Sequence, residues 1–108
     1  MNKYVVQTSE IFENRLDGII KYIYLESPQI ADKVFDALKD MVGKLSYIAL
    51  ACPVAYEAVY VPGVNLRQVF CKNFRIIFVV RDDNVFVAAI QACRQNLLSE
   101  DETKNLAL

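Results

Sequence analysis

Between Asn65 and Arg94 the chain carries Arg67, Lys72, Arg75, Arg81 and Arg94 against only two acids, Asp82 and Asp83. Such groups bind anions. A guanidinium forks two N–H bonds to a phosphate or carboxylate and keeps its charge at any relevant pH. They can stabilise developing negative charge, but proton transfer needs other groups. The chain has no histidine, which removes the commonest general base, the commonest zinc ligand and every Ser–His or Cys–His nucleophile pair. Acid–base chemistry would fall to Lys72, Glu57 or a tyrosine such as Tyr56 or Tyr60, none of which stands in a supporting motif. Cys52, Cys71 and Cys93 are an odd number without Cys-x-x-Cys spacing. They read as reduced thiols, buried or partly buried, rather than as a metal site. The residue types favour binding over catalysis and imply no cofactor or metal.

These bases sit on three apolar, β-branched and aromatic runs punctuated by Lys72-Asn73 and Asp82-Asp83-Asn84. The pattern predicts a three-stranded antiparallel meander, because Asn and Asp tolerate the positive φ of tight hairpin turns. A two-residue turn at Asp83-Asn84 would set Val79 opposite Ala88, Ile77 opposite Ile90 and Arg75 opposite Ala92. Phe74, Ile76, Phe78 and Val80 then form a core face with Val85, Val87, Ala89, Gln91 and Cys93. Arg75 and Arg81 share the other, open face with Phe86 and Arg94. A one-residue change at the turn would exchange the faces.

Upstream, Tyr4-Val5-Val6 has strand character, and Thr8 or Ser9 can cap a following helix whose apolar residues Phe12, Leu16, Ile19, Ile20 and Ile23 recur at helical spacing. Gly18 lies inside that helix and suggests close packing against a neighbour. Ser27-Pro28 ends it and opens a second helix, with Pro28 at the first position, where its missing N–H is no loss. Ala31, Val34, Leu38, Val42 and Leu45 form the stripe of that second helix, and the short connection makes the pair an antiparallel hairpin. Residues 47–63, apolar but with Pro53 and Pro62, are expected to lie on the body as a lid over the core edge, the alternative being an exposed partner surface that includes Tyr56 and Tyr60. Ser99-x-x-Glu102 is a capping box that predicts a short terminal helix within a 95–108 tail, with Leu106 and Leu108 as its apolar foot.

A chain of 108 residues, 55% hydrophobic and 23% charged, is expected to form one α+β domain over 1–108. Net charge is −1, distributed as −2 over 1–65, +3 over 66–94 and −2 over 95–108. A mildly basic sheet on an acidic body is a weak nucleic-acid signal. No run approaches the ~20 apolar residues of a membrane span. The first residues, Met-Asn-Lys-Tyr-Val-Val, lack a signal-peptide core, so the expected location is cytoplasmic.

The order strand, helical hairpin, loop, meander and tail resembles the RelE/ParE superfamily of bacterial toxins from type II toxin–antitoxin pairs. The matching stretches are Tyr4-Val5-Val6-Gln7-Thr8, the hairpin around Ile19-Ile20-Lys21-Tyr22-Ile23 with Ser27-Pro28 and Ala31, Phe74-Arg75-Ile76-Ile77-Phe78, Asp82-Asp83-Asn84-Val85, and Ala92-Cys93-Arg94. They cover residues 3–96, and the hairpin is more similar to the ParE branch. The resemblance implies an α+β fold with the hairpin on one sheet face, an antitoxin that wraps the toxin, and one of two targets. ParE-like members poison DNA gyrase, which makes this chain a growth inhibitor of the plasmid-stabilisation kind. RelE-like members cleave messenger RNA on the ribosome, which would assign Arg75, Arg94 and Lys72 to catalysis. The partner-binding set implied in either case is Arg67, Arg75, Arg81, Phe86, Arg94, Tyr56 and Tyr60, in a dimer or a toxin–antitoxin hetero-oligomer. After Arg94, however, the chain reads Gln95-Asn96-Leu97-Leu98 where the RNA-cleaving branch places tyrosine or histidine. That departure and the acidic balance favour the gyrase-binding reading, with a degenerate, partner-binding member as the third.

Overall fold

In the computed structural model, which describes residues 3–107, a four-stranded sheet runs in the order β1-β4-β3-β2. Its strands are β1 (Val5–Thr8), β2 (Asn65–Cys71), β3 (Phe74–Arg81) and β4 (Asn84–Ala92). β2, β3 and β4 form the expected antiparallel meander. β1 joins it parallel to β4, with Val6 opposite Val85. Helices α1 (Glu10–Glu26) and α2 (Pro28–Ile48) follow β1, and α3 (Glu100–Ala107) closes the chain.

Local chemistry sets the helix ends. Ser9 Oγ accepts from Phe12 N–H at 3.0 Å, capping α1, while its N–H donates to Val87 O on the sheet. Ser27 serves both helices: its N–H donates to Ile23 O, and its Oγ accepts from Ile30 N–H at 3.2 Å. Pro28 takes the first turn of α2. The Ser99–Glu102 box closes reciprocally at 3.1 and 3.2 Å. The Phe12, Ile30 and Glu102 N–H groups are donors that a helix start leaves without an intrahelical partner, and each cap hydroxyl satisfies one. Leu106 is half-buried in the terminal helix; Leu108, its expected companion, lies outside the described residues. Gly18 departs from expectation, because a Cβ built there meets no atom within 4 Å. It faces open space rather than a neighbour.

The hairpin register differs from the sequence reading in two ways. The turn is Asp82-Asp83, with Asp82 at φ 55° and Arg81 opposite Asn84. A displacement of two residues in the pairing leaves the faces unchanged near the turn. Beyond it, an extra residue in β4, Ala88, interrupts the ladder between the Phe78–Val87 and Ile77–Ala89 pairs. A bulge of this kind exchanges inward and outward positions for the rest of the strand. Ile90 therefore joins Ile76, Phe78, Val80, Val85 and Val87 against Phe12, Leu16, Leu38, Val42 and Leu45 of the two helices. Gln91, expected on that side, turns to the face of Arg75.

The opposite face is not open. Leu66, Ile77 and Val79 build a second core there, covered by Ala55, Val61, Leu98 and Ala107, with Phe86 packed at its margin. Two 3-10 turns, Ala49–Ala51 and Tyr56–Tyr60, shape the lid. Ala55 N–H donates to Leu66 O, and Gln68 N–H donates to Pro53 O. Residues 53–55 thus lengthen the sheet by one bridge at the β2 edge.

Candidate functional site

The candidate contact residues fall into three separate settings. Arg75, the central candidate, is 3% exposed on β3. Its guanidinium forks onto Glu57, with Nη1 donating to Oε1 at 2.8 Å and Nη2 to Oε2 at 2.6 Å. Nη1 also donates to Gln68 Oε1 at 2.9 Å, and the Tyr56 ring lies 5.6 Å from Cζ. Glu57 is fully buried and accepts a further bond from Leu98 N–H at 3.0 Å. Lid, β2, β3 and tail therefore meet at one ion pair, and no buried side-chain N or O among the described residues lacks a partner. Burial pushes the Glu57 carboxyl toward its neutral form, but the Arg75 and Leu98 hydrogen bonds outweigh it and hold the group below its ordinary value. A guanidinium so occupied cannot clamp a second anion, which corrects the expectation of an open Arg75.

Arg67 and Arg81 hold backbone. Arg67 donates to Cys52 O at 2.6 Å, Leu50 O at 3.3 Å and Asn65 Oδ1 at 2.9 Å, fastening the lid to β2. Arg81, though exposed, reaches Ala107 O at 3.3 Å and serves the C-terminal end of α3. Phe86 is half-buried with the second core. Tyr56 and Tyr60 are the outward members of the lid, 56% and 37% exposed, beside Val54 and Val59. The lid is thus both of the things the sequence allowed: Cys52, Ala55, Glu57 and Val61 face in, and an apolar strip faces out.

Lys72 and Arg94 stand at the far end of the sheet. Lys72 and Asn73 form the β2–β3 turn at φ 51° and 67°, and Asn73 O accepts from Cys93 N–H at 2.9 Å. Arg94 follows in the next turn, exposed, with no carboxylate partner among the described residues. Cys93 is exposed too, unlike the buried Cys52 and half-buried Cys71. Burial raises the latter two thiols above their ordinary values, so neither is a ready nucleophile. Lys72, Arg75 and Arg94 do not converge on one surface. Among the described residues no cluster of three His, Cys, Asp or Glu could hold a metal ion.

The sequence reading passed over a groove of about 1060 Å³ between α1 and the end of β4 with the tail after it. Gly18, Ile19, Tyr22 and Ile23 form one wall, Ile90 to Ala92 and Arg94 to Leu98 the other, and the charges at its rim are of both signs, Arg15 and Arg94 with Glu102. Its signals were Gly18 on a helix and the apolar Tyr22 and Leu97, which are 72% and 52% exposed. The role of Glu57 also had a signal, since it is the only charge between Lys44 and Arg67.

Compared with solved structures, the chain superposes with a TM-score of 0.66 on a chain described as "Chromosomal ParDE TA system from P. aeruginosa". The two are 21% identical, over 83% of this chain and 96% of that one. No family model and no curated protein sequence matches. The fold is thus the ParE-like α+β fold, with its N-terminal strand, two helices, antiparallel meander and short terminal helix. No helix among the described residues is long and apolar enough to cross a membrane.

Proposed function

We propose that the chain is the toxin of a type II toxin–antitoxin pair, a growth inhibitor that acts in the cytoplasm by binding DNA gyrase and is neutralised by a cognate antitoxin in a hetero-oligomer. The ParE-like fold supports the toxin class, and the solved neighbour of that fold comes from a ParDE system. The state of Arg75 carries the preference for binding over catalysis. A nuclease would need that guanidinium facing a phosphate, whereas it is enclosed and doubly bonded to Glu57. Glu57, the carboxylate among the acid–base candidates, is bonded to Arg75 and buried, and so is closed to proton transfer at Lys72 or Arg94.

Expression of the chain alone in bacteria tests the proposal. Growth should stop with induction of DNA-damage signalling, and purified chain should inhibit gyrase supercoiling in a dose-dependent way. Arrest with cleaved messages and normal supercoiling, abolished by Arg94→Ala, would instead establish the ribonuclease. Absence of any arrest would leave a member that only binds a partner.

A further inference from the structure

The outer side of the lid bears no charge. Between Lys44 and Arg67 the only charged residue is Glu57, and it is fully buried against Arg75. What the lid shows to solvent is apolar, and local geometry gathers it into one strip. Residues 53–55 run along the β2 edge, with Val54 bridged to Arg67 and Ala55 turned inward, so Val54 and Tyr56 both point outward. Side chains three apart eclipse in the 3-10 turn Tyr56–Tyr60, which sets Val59 beside Tyr56. The Tyr56 ring lies 5.6 Å from Arg75 Cζ, and Arg75 is paired with Phe70 across the β2–β3 ladder, which brings Phe70 to the ring's other flank. Val54, Tyr56, Val59, Tyr60 and Phe70 are 56%, 56%, 78%, 37% and 46% exposed. Together they present roughly 500 Å² of aliphatic and aromatic surface, in the upper part of the range for the largest patch on a monomer.

We propose that this strip is the interface of a symmetric homodimer, in which a second copy of the chain covers the lid of the first. Charge selects the occupant. A strip without charge offers a charged partner nothing to pair with, yet it meets its own image across a two-fold axis with no like charges opposed. The whole chain adds little repulsion, since its net charge is −1. The area fits as well. A standard interface covers ~800 Å² on each partner, with an apolar, aromatic-rich centre inside a more polar rim. The strip matches that centre, and its two tyrosine hydroxyls both donate and accept, so each can bond to the opposing copy. The lid is also held in place beforehand, by Arg67 on Leu50 O and Cys52 O and by Glu57 on Arg75 and Leu98. Two copies therefore meet without ordering a loop, a cost that otherwise weakens association. The strip lies on the sheet face opposite the helical hairpin, and the dimer does not rest on the toxin reading.

Sedimentation equilibrium of the purified full-length chain over a dilution series tests this without any growth assay. The mass should rise with concentration from 12.3 kDa to twice that value and stop there. Val59→Lys and Val59→Glu each place a like charge on both sides of the interface, and each should weaken association at least about tenfold. An equal mixture of the two variants should associate more tightly than either alone, because the opposed charges then differ in sign. Leu25→Lys, a substitution at an equally exposed apolar residue on the hairpin, should leave the dissociation constant unchanged. Far-UV circular dichroism and the thermal midpoint check that each variant is folded. A chain that stays at 12.3 kDa throughout, association that continues past two copies, or a dimer indifferent to both Val59 substitutions would each overturn the proposal. So would a mixture no tighter than its components, which would mean that the lid meets some other surface. Normal growth on expression would fail the toxin reading and leave the dimer standing.

Discussion

Glu57 and Arg75 show how one pair can change a functional argument. Bringing both charges out of water costs several kcal/mol, and their mutual bonds, with those from Gln68 and Leu98, offset that cost. Breaking one side is therefore far worse than removing both. Glu57→Gln should destabilise the chain by about 3–5 kcal/mol in urea unfolding, and Glu57→Leu combined with Arg75→Met should recover most of the loss. Additive losses in the double variant would count against the pair as a closed unit. The same carboxyl sets a pH dependence. Its folded value lies below the unfolded one, so its contribution is present above the ordinary carboxylate range near ~4.3 and is lost as pH falls through the folded value. Unfolding midpoints should drop below about pH 4 in wild type. They should drop less steeply in the Glu57→Leu/Arg75→Met variant.

At the scale of elements, helix ends and periodicity were legible because they depend on near neighbours. Ser9, Ser27-Pro28 and the Ser99–Glu102 box cap the helices they were expected to cap. The interiors of α1 and α2 each contain a glycine with open space where a Cβ would stand. Gly43→Ala should accordingly raise stability by about 1 kcal/mol, since alanine loses less backbone freedom in a helix. A shift of the thermal midpoint upward by a few degrees checks this, and a fall would reveal a contact made only by glycine. The β4 bulge was illegible, because Ala88 and Ala89 offer no pattern to say which is the extra residue. The faces expected of β4 beyond Ala88 reversed with it, while those of β3 are as expected.

On the whole-molecule scale, the sheet is buried on both sides, by the helical hairpin on one and by lid and tail on the other. The tail is structural rather than an appendage: Leu98 and Ala107 are each 5% exposed, and Arg81, Gln91 and Glu57 all bond to it. Deleting residues 95–108 should expose the Leu66, Ile77 and Val79 surface and strand the Glu57 carboxylate without its Leu98 partner. The truncated chain should bind a fluorescent apolar dye strongly and lose its cooperative unfolding transition. Unchanged unfolding would remove the tail from the core.

By itself the sequence determined the element order, the helix caps, the meander and the hairpin-facing side of β3, because propensity, capping and period are local properties. It did not determine which arginines were free. Whether Arg75 meets a solvent anion or Glu57 depends on where a lid eighteen residues upstream lies and on whether a tail returns over the sheet. Those are contacts between segments distant in the chain, decided by the burial of two apolar faces.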